Sequence, residues 1–258
     1  MRLEITGLEV SFGTRPVVSI GELALGDAEI VGLVGESGSG KSMTTLAVLG
    51  LAHTVGASVT GSIRLAGREL IGLPEDALRE LRGRRIAAIF QSPSMAFNPV
   101  FRVGHIAARA LRLHGLTGSE AAGRLAAAMR EVLLSPELLR RYPGQLSGGQ
   151  LQRVAIALAV ALRAEILLAD EPTSALDVTV QAEVLELLRV LRDRAGMSIL
   201  FISHDLAVVA QLCDRVAVMR AGKIVETGPT ENVLQRPTDA YTTELIAAVP
   251  RLAAKRTA

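Results

Sequence analysis

The chain has 258 residues, of which 49% are hydrophobic and 21% are charged, and its formal net charge is only +2. A chain of this length buries a sizeable core and forms one large domain or a core with a subdomain. The small net charge, without a dense basic stripe that carries aromatic residues, disfavours nucleic acid as a partner. Cys213 is the single cysteine, which excludes an internal disulfide.

The N-terminal region contains a glycine-rich loop directly after a predicted strand. The apolar run 29–34 indicates the strand, and the sequence GESGSGKS that follows matches the pattern GxxxxGK[ST]. Glycines let successive N–H groups point at phosphate oxygens, and the next helix adds the positive end of its dipole. In such a loop Lys41 reaches the β- and γ-phosphates, and Ser42 ligates Mg²⁺. The predicted nucleotide-binding residues here are Gly35, Glu36, Ser37, Gly38, Ser39, Gly40, Lys41 and Ser42.

The middle of the chain is predicted to be helical. From about residue 101 to residue 154, alanine-rich segments give way to Pro136 and Pro143, which mark breaks between helices. Shorter strands are predicted before it, at 62–66 and 85–90. We therefore expect a helical subdomain inserted after the first strands.

A serine and two glycines precede a strong helix-forming run at 150–163. Ser147 is suited to cap this helix, and Gly148 and Gly149 permit close backbone approach. A helix N-terminus without a bulky side chain can contact a phosphate. An ordinary capped helix explains these residues equally well, so the functional interpretation depends on the other motifs.

Two later apolar runs, at 165–169 and 199–203, end in polar side chains. Strands of parallel sheets present ligand-binding groups at their carboxyl ends. Asp170 is therefore predicted to hold Mg²⁺ through water, and Glu171 to polarise an attacking water as general base. His204 is placed to contact the γ-phosphate, although a lone histidine after a strand is more often a capping or core residue. Helical segments between these strands favour a parallel sheet covered by helices.

With these motifs in this order, the chain resembles the nucleotide-binding subunit of an ATP-binding cassette (ABC) transporter over nearly its whole length. The resemblance implies an α/β P-loop NTPase core with a parallel sheet, an antiparallel β subdomain and an inserted α-helical subdomain. Residues 1–235 would form a single ATPase domain, with 1–100 and 155–235 as its core and 101–154 as the helical subdomain. Residues 236–258 would be a C-terminal extension.

The resemblance also assigns roles to the motifs. The glycine-rich loop corresponds to Walker A, 146–150 to the signature, 166–170 to Walker B and 174–177 to the D-loop, with Gln91 in the Q-loop. Gln91 would contact Mg²⁺ or the attacking water. In this family ATP lies between Walker A of one subunit and the signature of another. Ser147, Gly148 and Gly149 would contact the partner's nucleotide, and Gln150 and Asp177 are further predicted nucleotide-binding residues.

The adenine-binding position departs from the family pattern. Members commonly stack the base on an aromatic residue near the N-terminus, often a tyrosine, and Phe12 is the nearby candidate here. Its ring can stack on adenine without a hydroxyl group. Packing of Phe12 into the first sheet is the alternative.

Partners and location also follow from the resemblance. It implies a second ABC ATPase subunit, identical or different, two transmembrane permease subunits and, indirectly, an extracytoplasmic substrate-binding protein. ATP and Mg²⁺ would be the ligands. The chain would lie peripherally at the cytoplasmic face of the inner membrane, because no signal peptide is visible and the longest apolar run, 154–162, is too short to span a bilayer.

Three segments resemble the subfamily that imports dipeptides, oligopeptides and nickel, namely 92–101, 139–150 and 222–228. Within the first, Phe97, Val100 and Phe101 would receive a helix of a permease, although Phe101 could equally belong to the core. The Asn-Pro sequence in this segment favours import over an exporter component.

A non-transport ABC ATPase acting in DNA repair or on the ribosome is a further alternative. The short helical insert and the single cassette disfavour it. The sequence does not choose between peptide and nickel cargo.

Overall fold

The computed structural model describes residues 1–92, 96–174 and 176–248. We call 92–101 the importer-like segment. Outside the described residues lie 93–95 of this segment, Ala175 of the predicted D-loop and 249–258 of the predicted C-terminal extension.

Strands and helices alternate from residue 166 to residue 220, as predicted for the later part of the core, and a run of helices precedes that region. The strands are β1 (Leu3–Phe12), β2 (Arg15–Leu25), β3 (Ile30–Val34), β4 (Ser58–Leu65), β5 (Arg68–Glu69), β6 (Ile86–Ile89), β7 (Ile166–Asp170), β8 (Ser198–Ser203), β9 (Arg215–Arg220) and β10 (Lys223–Pro229). The α-helices are α1 (Lys41–Val48), α2 (Glu75–Leu81), α3 (Val103–Leu113), α4 (Gly118–Glu131), α5 (Gly148–Leu162), α6 (Val178–Ala195), α7 (Leu206–Leu212), α8 (Thr230–Gln235) and α9 (Ala240–Ala247). None of the helices in the described ranges combines the length and hydrophobicity that a transmembrane segment needs.

Two sheets form the core. The larger has the order β10-β9-β3-β8-β7-β6, and its strands are parallel except for β10, which pairs antiparallel with β9. The smaller sheet, β2-β1-β4-β5, is antiparallel throughout. The predicted α/β fold, with a parallel core and an antiparallel β subdomain, is confirmed.

The larger sheet lies between two hydrophobic layers. In β3, Ile30 and Val34 pack with the helices of one layer, whereas Val31 and Leu33 pack with α1 and the antiparallel sheet of the other. Side chains of a strand alternate between faces, so the continuously apolar strands are those buried on both sides. The carboxyl ends of β3, β7 and β8 consequently meet at one edge of the sheet.

Helix α5 joins the helical region to the core. It begins at Gly148 and ends at Leu162, so the predicted boundary between residues 154 and 155 falls inside it. At its first turn Gly149 packs against α6, where a Cβ atom on Gly149 would lie 2.3 Å from Val180 Cγ1. The N-termini of α5 and α6 are therefore in direct contact.

This contact predicts an unfavourable Gly149→Ala substitution. Alanine normally stabilises a helix relative to glycine, but overpacking against Val180 should lower the free energy of unfolding by about 1–3 kcal/mol. Chemical denaturation of the purified chain would measure it. Gly123→Ala in α4 is the matched control, because nothing lies within 4 Å of the added methyl group.

The double variant Gly149→Ala/Val180→Ala should recover part of the loss, since the two sites share one contact. A Gly149→Ala chain as stable as the Gly123→Ala chain would contradict the packing argument.

Candidate functional site

The glycine-rich loop connects β3 to α1 and follows the path that its first glycine allows. Gly35 has φ 154°, and a Cβ atom there would lie 2.0 Å from the carbonyl oxygen of Met219 in β9. Only glycine fits this approach. The neighbouring N–H of Gly222 donates to the Ser39 carbonyl oxygen at 2.8 Å, so the end of β9 and the turn after it support the loop.

Lys41 is the first residue of α1, and its side chain turns back over the loop. Its ammonium group donates to the carbonyl oxygens of Gly35 and Glu36, both at 2.7 Å, and lies 3.3 Å from Ser39 Oγ. The residue is only 5% exposed. The loop thus holds a buried positive charge at its centre.

Nearby carboxylates balance this charge. Burial lowers the pKa of Lys41 below its usual value, and Glu171, Asp170 and Glu36 oppose that shift. Proximity to opposite charge favours the protonated form. The sheet edge therefore brings together the lysine of one motif and the two acids of another, which lie about 130 positions apart in the sequence.

Asp170 is the last residue of β7 and is 5% exposed. Burial raises the pKa of its carboxyl group, Glu171 adds to the shift, and a hydrogen bond from Ser42 and the charge of Lys41 oppose it. Its Oδ1 atom is buried and has no hydrogen-bond partner among the described residues. A buried carboxylate oxygen of this kind needs a partner. Together with the Ser42 hydroxyl it offers the hard oxygen ligands that Mg²⁺ prefers, so the residues fit that metal.

Glu171 follows with a strained backbone. Its φ is 48°, uncommon for a residue with a side chain, and its N–H donates to the Ile202 carbonyl oxygen at 2.9 Å. The carboxylate accepts a bond from Gln91 Nε2 at 3.0 Å, and its other oxygen lies 3.0 Å from His204 Nδ1. Because a carboxylate only accepts, the contact requires the proton of His204 on Nδ1. The predicted site residues Gln91, Glu171 and His204 are thus in direct contact.

These groups face a cleft of about 570 Å³. Phe12 stands in its wall with 39% of its surface exposed, which supports stacking on a ligand more than burial in the sheet. Sequence reasoning missed Val17 and Met43, since a valine in a strand and a methionine in a helix carry no signal of a cleft wall. The described residues that line it are Phe12, Val17, Ser37, Gly38, Gly40, Lys41, Ser42, Met43, Gln91, Glu171 and His204.

The signature residues lie elsewhere. Ser147 caps α5: its Oγ accepts from the Gln150 N–H at 3.2 Å, and Gln150 Oε1 accepts from the Ser147 N–H at 3.0 Å. Gly148 is exposed, whereas Gly149 is buried against α6. Neither these four residues nor Asp177 belongs to the described lining of the cleft around Lys41.

Asp177 caps the neighbouring helix. Its Oδ1 accepts from the N–H of Val180 at 3.0 Å, and α6 begins at the next residue. The close contact of Val180 with Gly149 places this cap beside the cap of α5. Two helix N-termini with exposed caps therefore form one surface, separate from the cleft.

The importer-like segment is only partly exposed. Phe97 is 3% exposed and belongs to the hydrophobic cluster that contains α3 and α4, so the expectation of an exposed Phe97 is wrong. Val100 and Phe101 are 73% and 42% exposed, and Phe101 stacks on His105 with ring centres 5.1 Å apart. An apolar surface remains at these positions.

Known proteins match the chain over most of its length. A sequence model described as ABC transporter matches residues 20–174. A peptide import ATP-binding protein of Brucella abortus is 46% identical, over 97% of this chain and 77% of that protein. The glutathione import ATP-binding protein GsiA of Salmonella typhimurium is 44% identical, over 98% of this chain and 43% of its own length.

Solved structures agree with these matches. The dimeric structure of an ATP-binding cassette in a post-hydrolysis state, bound to ADP and Pi, has a TM-score of 0.75 at 25% identity, covering 88% of this chain and 98% of its own. The structure of an ATP-binding subunit of an ABC transporter has a TM-score of 0.77 at 25% identity, covering 96% and 98%. The sequence match and the shared fold show that the chain belongs to the ABC transporter family.

Proposed function

We propose that this chain is the ATP-hydrolysing subunit of an ABC importer that takes up peptides. The observation that carries the proposal is the 46% identity, over nearly the whole chain, to a peptide import ATP-binding protein. The second relative is an import protein for glutathione, itself a small peptide. The importer-like segment around Val100 is consistent with this direction of transport.

In the proposed site, ATP lies in the cleft with its phosphates on the glycine-rich loop. Phe12 stacks on the adenine, and the N–H groups of the loop and of the first turn of α1 bind the phosphate oxygens. Lys41 exchanges a backbone carbonyl for a phosphate oxygen at little cost, because its ammonium is already removed from water. Its charge then offsets charge that develops on the leaving phosphate.

Asp170 and Ser42 are the proposed Mg²⁺ ligands, with Gln91 as a further contact. The orphaned Asp170 Oδ1 supports this assignment. When bound, Mg²⁺ supplies positive charge that neutralises the phosphate oxygens. The chain's own contribution is a carboxylate whose burial is unfavourable until a cation reaches it.

Glu171 is the proposed general base. Gln91 and His204 hold its carboxylate from two sides, and the strained backbone turns the side chain into the cleft. A water bound beside it can pass a proton to the carboxylate as it attacks the γ-phosphate. With Nδ1 donating to Glu171, Nε2 of the neutral His204 ring accepts a hydrogen bond from the water, and only the doubly protonated ring can also donate to a phosphate oxygen.

A second ATPase subunit completes the proposed arrangement. The caps of α5 and α6 form a surface away from the cleft, which is expected if Ser147, Gly148, Gly149, Gln150 and Asp177 contact the nucleotide of a partner. Helix α5 offers its N-terminal dipole there, and the exposed Gly148 leaves room for a phosphate. The partner is a second copy or a related chain.

Val100 and Phe101 form part of the proposed contact with two permease subunits. Their exposed apolar surface suits a helix of a membrane partner. The chain would then lie peripherally at the cytoplasmic face of the inner membrane, with an extracytoplasmic binding protein choosing the cargo. The division into 1–235 and a C-terminal extension remains a prediction.

Substitution of Glu171 by glutamine tests both hydrolysis and transport. We expect turnover to fall by about 10²- to 10⁴-fold, the usual effect of losing a positioned base, while ATP still binds. In cells, uptake of a labelled dipeptide should fall with it. Glu131→Gln, which removes an exposed carboxylate on α4, is the matched control.

Uptake of labelled glutathione and uptake of labelled nickel are measured separately in the same cells. Loss of peptide or glutathione uptake supports the proposal. Loss of nickel uptake alone would make the chain part of a metal-ion importer, and unchanged uptake of all three would contradict peptide import. Unchanged hydrolysis in the variant would remove Glu171 from the role of base.

Asp170→Asn should stabilise the chain without metal and abolish the effect of Mg²⁺. Because burial raises the pKa of Asp170 in the folded chain, its charged form opposes folding at neutral pH. Removing the charge should raise Tm in EDTA by about 2–4 °C for each kcal/mol gained. In the presence of ATP, replacing EDTA by Mg²⁺ should then raise Tm for the wild type and not for the variant.

The stabilising effect of Asp170→Asn should become smaller at low pH. As pH falls through the raised pKa of Asp170, the wild-type carboxyl becomes neutral and the difference in Tm should shrink. Asp76→Asn, at an exposed position of α2, should show neither effect. An Asp170→Asn chain that is less stable than the wild type in EDTA would contradict the account.

Phe12→Ala should weaken ATP binding by about 5- to 100-fold, because stacking of a base on an aromatic ring contributes about 1–3 kcal/mol. Phe12→Tyr should retain the affinity. Titration with a fluorescent ATP analogue measures both. If Phe12 only packs against the sheet, the alanine variant will have a lower Tm and an unchanged affinity for the ATP analogue.

A further inference from the structure

The C-terminal helix α9 contacts the glycine-rich loop directly. Tyr241, in its first turn, is 3% exposed. Its hydroxyl oxygen accepts a hydrogen bond from the backbone N–H of Glu36 at 3.1 Å, across 205 positions of sequence. The cleft described above does not include Tyr241 among its described lining residues.

Glu36 is held on both sides of its backbone. Its N–H donates to Tyr241, and its carbonyl oxygen accepts from the Lys41 ammonium at 2.7 Å. The Glu36 N–H is therefore already bonded to a protein group. Glu36 affects a bound nucleotide through the carbonyl oxygen that orients Lys41. A shift of this residue would move one of the two carbonyl oxygens that orient the ammonium.

Tyr241 is itself fixed by groups that do not belong to the loop. The guanidinium carbon of Arg220 lies 4.7 Å from the centre of its ring, within the range of a cation–π contact. Arg220 is the last residue of β9 and follows Met219, whose carbonyl oxygen borders Gly35. The same strand end thus supports the loop directly and through the tyrosine.

Hydrogen bonds hold the residues before α9 against β10. Glu226 accepts from the N–H and the hydroxyl of Thr238, at 2.8 and 2.9 Å, and from the N–H of Asp239 at 3.2 Å. Asp239 in turn caps the helix, with Oδ1 accepting from the Tyr241 N–H at 2.8 Å. These bonds fix the position from which the hydroxyl reaches the loop, since each one limits the movement of the helix.

We propose that Tyr241 is a positioning residue for ATP binding. Its hydroxyl holds the Glu36 peptide in the conformation that aims Lys41 at the phosphates, without touching the nucleotide. The proposal rests on the assignment of ATP to the glycine-rich loop. Helix α9 then helps to position the nucleotide-binding loop, although it lies within the segment predicted to be a C-terminal extension.

Tyr241→Phe tests the proposal because it removes the hydroxyl and keeps the ring over which Arg220 lies. We expect the Kd of a fluorescent ATP analogue for the purified full chain to rise by about 2- to 10-fold, the range for one hydrogen bond. KM for ATP should rise with it. The kcat at saturating ATP should stay close to that of the wild type, because the hydroxyl is not at the reacting atoms.

Tyr142→Phe is the matched control, since the chain has two tyrosines and Tyr142 is exposed in the helical region. It loses the same hydroxyl group and should bind the analogue like the wild type. Arg220→Met provides a second variant. It keeps the hydroxyl bond but removes the cation from the ring, so Kd should rise in the same direction by a smaller factor.

An unchanged Kd and KM in Tyr241→Phe, with or without a lower Tm, would overturn the proposal and leave Tyr241 with a role in packing alone. An equal rise in Tyr142→Phe would overturn it too. If the wild-type chain fails to bind the analogue, the assignment of ATP to the loop fails first. A rise confined to Tyr241→Phe and Arg220→Met supports the proposal.

Discussion

The buried ammonium group of Lys41 is the constraint on which the site depends. A charge removed from water is unfavourable unless hydrogen bonds and opposite charges replace its hydration. The glycine-rich loop supplies two carbonyl oxygens at 2.7 Å, and the ends of the sheet supply the carboxylates of Asp170 and Glu171. Removal of Lys41 would leave both carboxylates without a positive partner, whereas removal of the Asp170 charge leaves Glu171 to balance the ammonium.

The charges of this cluster do not cancel. One ammonium faces two carboxylates, and burial already raises the pKa of Asp170 because its charge is poorly solvated. The excess is negative and lies next to the Ser42 hydroxyl. A divalent cation corrects the imbalance, whereas a phosphate alone would increase it. The same arrangement that makes the unliganded site unfavourable therefore favours a nucleotide that arrives together with its metal.

Much of the fold and of the site could be predicted because the informative residues are local. The eight residues of the loop are contiguous, and Asp170, Glu171 and His204 each follow an apolar run of strand length. Other features depend on tertiary contacts. Phe97 has no periodic pattern to indicate that it is buried by helices.

The C-terminal side of the site was missed for the same reason. Nothing near Tyr241 in the sequence indicates that its hydroxyl meets the loop 205 positions earlier. The boundary at residue 154 raises a different problem. The helix-forming run 150–163 contains neither glycine nor proline, so a boundary within it divides residues that belong to one continuous helix.

Gln91 donates a hydrogen bond to Glu171 across the mouth of the cleft. This bond joins a residue just before the helical region to the predicted base, 80 positions away, and His204 holds the opposite oxygen. A substitution that removes the Gln91 amide would leave His204 as the one remaining side chain of this pair on the carboxylate. The orientation of the Glu171 carboxylate therefore depends on two residues that lie on different strand ends, one of them next to the helical region.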